Sequence, residues 1–329
     1  MNIIDDIRRP ILSEVGEYEQ FLARHMTSSN EAVEGILGYI VENGGKGFRP
    51  LAVLLSAALN SPSPEKGLGP RSYLAAMLVE MMHAASLVHD DVIDESDLRR
   101  GKPSVRALWG SRRAVIAGDM LLAKSISVGL DSAQYDIVDY VTRAMWELCE
   151  GELIQSRISE SLDMTREVYL DIIHKKTGIL FGVSAGAGAL SVGASREKIA
   201  AMRSFGEWVG MAFQIRDDIL DYDILGDTGK PACNDLQEHK ITLPLLVVLE
   251  RSTPERKAEL LAMLAATDTE PGNIALLRDA VVSGGGIDEA EKVMQAHIAR
   301  AQSLLAAWPP SPFHTSLMML ASYAASRQK

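Results

Sequence analysis

Apolar-rich runs in this chain, patterned for helix, are longer than β-strands normally are. The stretches at 51–59, 73–88, 114–130 and 287–307 outlast the usual strand. No alternating β-branched segment closed by a hairpin turn stands out. Thr253-Pro254-Glu255 reads as an N-cap with proline at the first helical position. Thr165 takes the same part before Val168, Tyr169, Ile172 and Ile173, which recur at helical spacing. Breaks rich in Gly, Pro, Asp or Ser fall at 61–71, 223–239, 266–272, 283–286 and 308–312. None is long enough for an interdomain linker, and no repeat of solenoid period occurs. The expectation is one all-α domain over residues 1–329.

Two acidic clusters of one shape interrupt this apolar background. Asp90-Asp91-Val92-Ile93-Asp94 follows apolar residues 84–88, and Asp217-Asp218-Ile219-Leu220-Asp221 follows 211–215. On a helix the first and last aspartates of each cluster are i and i+4, so their carboxylates share a face. Burying such charges without a counter-charge is costly, so the clusters call for cations. Mg²⁺ held by one or two carboxylates completes its octahedron with water and phosphate oxygens. A matched pair of clusters therefore points to a Mg²⁺–diphosphate site; two solvated acidic helix ends are the plainer alternative.

The formal net charge of −11 argues against nucleic acid as the main partner, which would need clustered Lys and Arg. Cys149 and Cys233 lack metal-site spacing and are too few for a disulfide framework, so a reducing, cytoplasmic setting is expected. The first residues, MNIIDDIRRPILSEV, carry charges throughout and have no signal-peptide core. Residues 177–195 have no charge, and Gly178, Gly182 and Gly186 stand at four-residue spacing, as in membrane helix packing. Large apolar side chains are too few there for good insertion. A buried helix with a glycine face open to a close neighbour is expected instead, and no transmembrane segment.

Cations lie near both clusters and near the start. Gly44-Gly45-Lys46-Gly47-Phe48-Arg49-Pro50 is a glycine-rich turn where backbone can approach an anion, with Lys46 as a point charge and Arg49 as a fork. Arg99-Arg100-Gly101-Lys102 either meets an anion or neutralises Asp94, Glu95 and Asp97. Lys230 and Lys240 flank the loop after the second cluster, where a cap over a phosphate site would be useful. His83, two helical turns before Asp90, is either a satisfied core residue or an anion contact.

The segments GGKGFRP (44–50), HAASLVHDDVIDESDLRRGKP (83–103), EGELIQ (150–155), KTGILF (176–181), FQIRDDILDY (213–222) and GKPACNDLQEHKITLP (229–244) carry a family likeness. Together they resemble the trans-isoprenyl diphosphate synthases over nearly the whole chain. EGELIQ and HDDVIDESDLRRGK look most like the octaprenyl and related long-chain enzymes that supply quinone side chains. The resemblance implies an isoprenoid-synthase helical bundle around a deep central cavity, as a homodimer. It implies repeated condensation of an allylic diphosphate, such as farnesyl diphosphate, with isopentenyl diphosphate. Three Mg²⁺ ions are implied with substrate bound, on Asp90, Asp94 and Asp217, with Asp91, Asp218 and Asp221 in support. Lys46, Arg49, His83 and Arg100 correspond to the isopentenyl diphosphate site, and Arg99, Lys176, Lys230 and Lys240 to the allylic one. Lys176, Thr177 and Gln214 correspond to the catalytic end, which Lys240 also lines. Two positions depart from the family pattern: Gly47 stands where a basic residue is usual, and His239 where glycine usually precedes Lys240.

A helix rises about 5.4 Å per turn, roughly one isoprene unit, so residues a turn below Asp90 meet the growing tail first. Those are Ser86 and Ala85, both small, where short-chain members of the family carry a bulky aromatic. A long product of about C30 to C45 is expected, released with peripheral membrane contact. The alternatives are a short-chain farnesyl or geranylgeranyl synthase, a class I terpene cyclase, and a non-catalytic subunit of a heteromeric synthase. A cyclase normally pairs its aspartate motif with an Asn/Ser/Glu-type triad, and a non-catalytic subunit would be expected to lose aspartates; both clusters here are intact.

Overall fold

The structure, a computed structural model, describes residues 3–45, 47–222 and 233–327, so Lys46 and Lys230 lie outside the described residues. Helix dominates, as the long apolar runs require. Both threonine caps form: Thr253 accepts the Arg256 N–H and Thr165 the Val168 N–H, each at 3.3 Å. The element not foreseen is a small hairpin, in which Leu98–Arg99 pairs antiparallel with Lys102–Pro103. Its turn residues Arg100 and Gly101 have φ of 54° and 74°, the sense of turn that matches strand twist. Strands of two residues have no room for alternation, so periodicity could not announce them.

Two compact units interleave along the chain. The first comprises Met1–Met145, Leu180–Gly206 and Ala307–Leu320; the second comprises Trp146–Ile179, Glu207–Ala306 and Ala321–Lys329. The boundaries near 145, 179 and 206 coincide with none of the Gly/Pro-rich breaks, so composition carries no trace of them.

In the first unit the helix Pro70–Ile93 begins on proline at N1 and packs against Phe48–Asn60 and Ser111–Asp131. Val53, Leu54, Leu55, Ala75, Leu78 and Leu121 are wholly buried there. The uncharged segment is a buried helix, Ile179–Ser191, and no helix among the described residues is long and apolar enough to cross a membrane. Close approaches occur along the expected face, at Gly178, Gly182 and Gly186, and also at Gly188. A Cβ on Gly206 would stand 2.7 Å from the Gly182 Cα, and one on Gly178 3.2 Å from Met211 Cγ. A Cβ on Gly188 would stand 2.2 Å from the Val53 carbonyl oxygen, and one on Gly186 2.1 Å from the Tyr140 hydroxyl. Ser56 beside this contact donates to the Ala185 carbonyl at 2.6 Å.

In the second unit Leu243–Arg251 packs on Gly286–Leu304 and Gly272–Ser283, burying Leu243, Val247, Leu277 and Val281 completely. The helix Arg166–Ile173 runs into a π-helical turn, His174–Gly178. Such single turns are rare and gather at functional sites; this one carries Lys176 and Thr177.

Candidate active site

In the first unit the Pro70–Ile93 helix stops at the first aspartate cluster. Asp94 is its C-cap, with its N–H on the Asp90 carbonyl at 2.8 Å. Asp90 is half-buried and Asp94 exposed, whereas Asp91 is buried. Arg99 donates from Nε at 2.9 Å and Nη2 at 2.6 Å to Oδ1 of Asp91. The chain reverses directly after the helix, through Glu95 at φ 48° and the Ser96 N–H on the Asp91 carbonyl at 2.9 Å, and so brings Arg99 back onto the helix end ahead of the hairpin turn. Turning through Arg100 in the left-handed region aims that guanidinium the other way, over Gly45: a Cβ on Gly45 would lie 2.6 Å from Arg100 Nη2. Arg100 also donates weakly to the Asn43 carbonyl, at 3.4 Å.

Asn43, Gly45, Asp91, Arg99 and Arg100 line a cleft with Gly44, Glu80, His83 and Lys102. Arg49 packs its guanidinium on the Phe181 ring, 4.7 Å from the centroid. Gly47 caps the following helix at φ 67°, a conformation that any side chain would strain. That accounts for glycine at a position where a basic residue was the family expectation. Glu80 is a carboxylate the sequence reading passed over. Burial raises its pKa, while Arg49 and Arg100 pull it down. Its spacing, i−3 from His83 inside an apolar run, was an available signal. Of the two small residues assigned to chain length, Ala85 has no exposed surface, and Ser86 is half-buried with its hydroxyl on the His83 carbonyl at 2.9 Å.

Burial, followed by the charges of Arg49, Arg100 and Arg99, holds the His83 pKa well below the usual imidazole value. His83 is therefore neutral at pH 7 and offers an anion an N–H, not a full charge. The unfolded chain protonates this group near pH ~6.5, while the folded protein resists until lower pH. The stability that His83 contributes is thus complete above about pH 6.5 and is lost as pH falls toward the folded pKa. Below that pH the wild type should lose up to about 1.4 kcal/mol per pH unit more than His83→Gln in urea unfolding. Parallel pH dependences for the two proteins would contradict it.

In the second unit the Arg196–Leu220 helix ends on the other cluster, and its three aspartates do different work. Asp218 is buried and accepts the Tyr169 hydroxyl at 2.6 Å on one oxygen and Gln214 Nε2 at 2.9 Å on the other. Gln214 in turn accepts the Thr177 hydroxyl at 2.8 Å, so the π-helical turn is tied to the cluster. Burial pushes the Asp218 carboxyl up to about 6, against the two hydrogen bonds and with help from Asp217 and Asp221. Asp221 is occupied as well: it accepts the N–H groups of Asn234 at 3.0 Å and Asp235 at 3.1 Å, at the start of the short helix Asn234–Gln237. Asp217 is left half-exposed, paired with Arg327.

Lys176 pairs with Glu152 at 2.9 Å and donates to the Gln155 side-chain Oε1, which gives the EGELIQ segment a task. Lys240 pairs with Glu238, and His239 before it takes φ 56°, the glycine-like conformation implied by the family pattern. One cleft gathers Gln155, Tyr169, Lys176, Gln214, Asp218 and Lys240 within this unit. Tyr169 and Arg327 were missed by sequence reading, since each meets its aspartate from far along the chain. Among the described residues no three His, Cys, Asp or Glu side chains converge as a ready-made metal cage.

Residues 30–281 match the polyprenyl synthetase family. The all-trans-nonaprenyl-diphosphate synthase (geranyl-diphosphate specific) of Rhodobacter capsulatus is 34% identical, over 98% of this chain and 97% of its own. A short chain isoprenyl diphosphate synthase of Methanothermobacter thermautotrophicus is 32% identical, over 88% of this chain and 89% of its own. A polyprenyl synthase from Caulobacter crescentus, crystallised with calcium and isoprenyl diphosphate, matches the fold with a TM-score of 0.89. That structure is 31% identical and covers 99% of this chain and 98% of its own. With two aspartate clusters, their flanking cations and these relatives in agreement, the chain belongs to the polyprenyl synthetase family and is an all-α trans-prenyltransferase.

Proposed function

We propose that the protein joins an allylic diphosphate to isopentenyl diphosphate, repeatedly and with Mg²⁺, to build an all-trans polyprenyl diphosphate. What carries this reading is a division of labour repeated in the two clusters. In each, the second aspartate is buried and held by side-chain donors, while the first stays half-buried at the helix end. The buried carboxylates keep the helix ends in place, and Asp90, Asp94 and Asp217, which solvent reaches, would supply the hard oxygen donors. The donor set fits Mg²⁺, which takes one or two carboxylates and leaves its other positions to water and phosphate. An incomplete protein shell is therefore what such an ion requires.

Asp90, Asp94 and Asp217 would hold three Mg²⁺ ions with substrate present, and Asp91, Asp218 and Asp221 support them. When bound, the metal neutralises charge on the departing diphosphate. Lys46, Arg49, His83 and Arg100 bind isopentenyl diphosphate, and Arg99, Lys176, Lys230 and Lys240 bind the allylic diphosphate. Glu152 and Gln155 hold Lys176 in position for its anion. Thr177 commits its proton to Gln214, so the remaining lone pairs of its hydroxyl are free to face positive charge developing on the allylic carbon. The isopentenyl double bond attacks that carbon, a C–C bond forms, and the released diphosphate accepts the proton lost. Apolar helix faces beyond the aspartates keep water from the cation.

Incubation with farnesyl diphosphate, labelled isopentenyl diphosphate and Mg²⁺ tests the proposal. Linear prenyl diphosphates are expected; hydrocarbon release would indicate a cyclase, and no turnover a non-catalytic subunit. The expected product is long, about C30 to C45, because the residues below Asp90 are small. A short product is the second reading, favoured by Ala85 having no exposed surface where a wide tunnel would leave some. With a long product, Ala85→Phe should shorten it to about C15–C20 on chromatography. Unfolding measured alongside separates a blocked tunnel from overpacking, which costs about 1–3 kcal/mol. A product of unchanged length from a stable variant would reject Ala85 as the gate.

A homodimer is part of the proposal. Trp146 and Leu153, 78% and 74% exposed and two turns apart on one helix, are a surface that a second copy would cover. The setting is the cytoplasm, with peripheral membrane contact for release of an apolar product.

A further inference from the structure

The helix Pro312–Ser326 ends one residue before Arg327, whose N–H still bonds the Tyr323 carbonyl at 3.1 Å. The side chain is only 12% exposed. Its guanidinium lies over the Phe213 ring, 3.4 Å from the centre, and donates to the Phe213 carbonyl at 3.2 Å. It also pairs with Oδ1 of Asp217, a side chain 43% exposed. Arg216 Nε closes the arrangement from below by donating to the Arg327 carbonyl at 3.0 Å. Stacking, backbone and charge thus fix one residue near the end of the chain onto one carboxylate of the second cluster.

That carboxylate stands among like charges. Asp221 and Asp217 both act on Asp218, and Asp218 acts on Asp235. A group of this kind repels itself unless a cation is present. We propose that Arg327 is a positioning residue, an internal counter-cation that holds Asp217 while the metal is away and leaves it when a divalent cation binds. This rests on the reading of Asp217 as a metal ligand. Mg²⁺ and a guanidinium cannot both contact Oδ1 in half-buried surroundings without strong repulsion. Binding is therefore an exchange of partners, and its report is the release of Arg327 from its pocket.

Two readouts test the exchange without relying on turnover. By calorimetry with Mg²⁺ alone, Arg327→Gln should bind the metal about fivefold more tightly than the wild type, because no internal cation competes. Arg327→Lys, which keeps the charge and loses the fork, should fall between them. The second readout uses the wild-type protein. Trypsin must take the Arg327 side chain into its own pocket to cut the bond to Gln328, so burial protects that bond. Mg²⁺ with inorganic diphosphate should speed loss of Gln328-Lys329, followed by intact mass, and Asp217→Asn should lose the pair quickly without metal. If Asp217→Asn weakens Mg²⁺ binding while Arg327→Gln leaves it unchanged or weaker, and cleavage ignores metal, the exchange is wrong and the metal reading stands. If Asp217→Asn leaves Mg²⁺ binding untouched, the metal reading at Asp217 fails and the exchange with it.

Discussion

Asp217→Ala is expected to fold normally and turn over about a hundred- to a thousandfold more slowly than the wild type, and Asp90→Ala likewise. Both side chains are at least partly open to solvent, so the change removes charge from a helix end and leaves no hole in a core. Stability should move by no more than about 1 kcal/mol, the scale of a partly exposed ion pair. Asp218→Ala makes the informative contrast. It strands the buried Tyr169 hydroxyl and the Gln214 amide, each a donor that has lost its acceptor. Leaving a buried donor unmade costs about 1–3 kcal/mol, so this variant should lose stability and turnover together. Steady-state kcat and urea unfolding of the three proteins separate the two roles. Undiminished turnover in Asp217→Ala or Asp90→Ala would remove the basis for the metal assignment. Part of the lost rate should return at raised Mg²⁺ if the defect is one of metal affinity.

What could be read from the chain alone was whatever depends on near neighbours in sequence. The helices follow from apolar spacing, and the caps at Thr165 and Thr253 from a residue and its third successor. The aspartate clusters are visible because five consecutive residues carry them. Everything that assigns separate tasks within a cluster comes from a distance. Asp91 is distinguished from Asp90 by an arginine that follows it in a strand too short to show periodicity. Asp218 is distinguished by Tyr169 and, through Gln214, by Thr177 in a π-helical turn that no propensity announces. Asp221, expected in a supporting role, caps a short helix of its own, and Asp217 faces an arginine from near the end of the chain. The glycine-rich turn shows both sides of this. Gly47 was noted as a departure, yet only its left-handed backbone explains why a side chain there is unwelcome.

Gly188→Ala and Gly35→Ala, the same chemical change, should shift stability in opposite directions. Both glycines sit inside helices, where alanine returns up to about 1 kcal/mol of backbone entropy and propensity. Around Gly35, in the helix Glu31–Glu42, a new Cβ meets nothing within 4 Å, so that gain should appear almost whole as a higher urea midpoint. Around Gly188 the new atom would meet the Val53 carbonyl oxygen at 2.2 Å, Ser56 Cβ at 2.9 Å and the Ala57 nitrogen at 3.0 Å. None of these is the end of a flexible side chain. The two helices must separate, which stretches the 2.6 Å bond from Ser56 to the Ala185 carbonyl and opens a core where Val53 and Leu54 have no exposed surface. Overpacking of this kind costs about 1–3 kcal/mol and more where backbone is the obstacle, so the propensity gain cannot offset it. A net loss of about 2 kcal/mol is expected, with a larger one for Gly188→Val, whose branched side chain adds bulk at the same point. If Gly188→Ala unfolded at the wild-type midpoint or above it, the close contact between these helices would not be a determinant of the fold, and the glycine would owe its place to something other than packing.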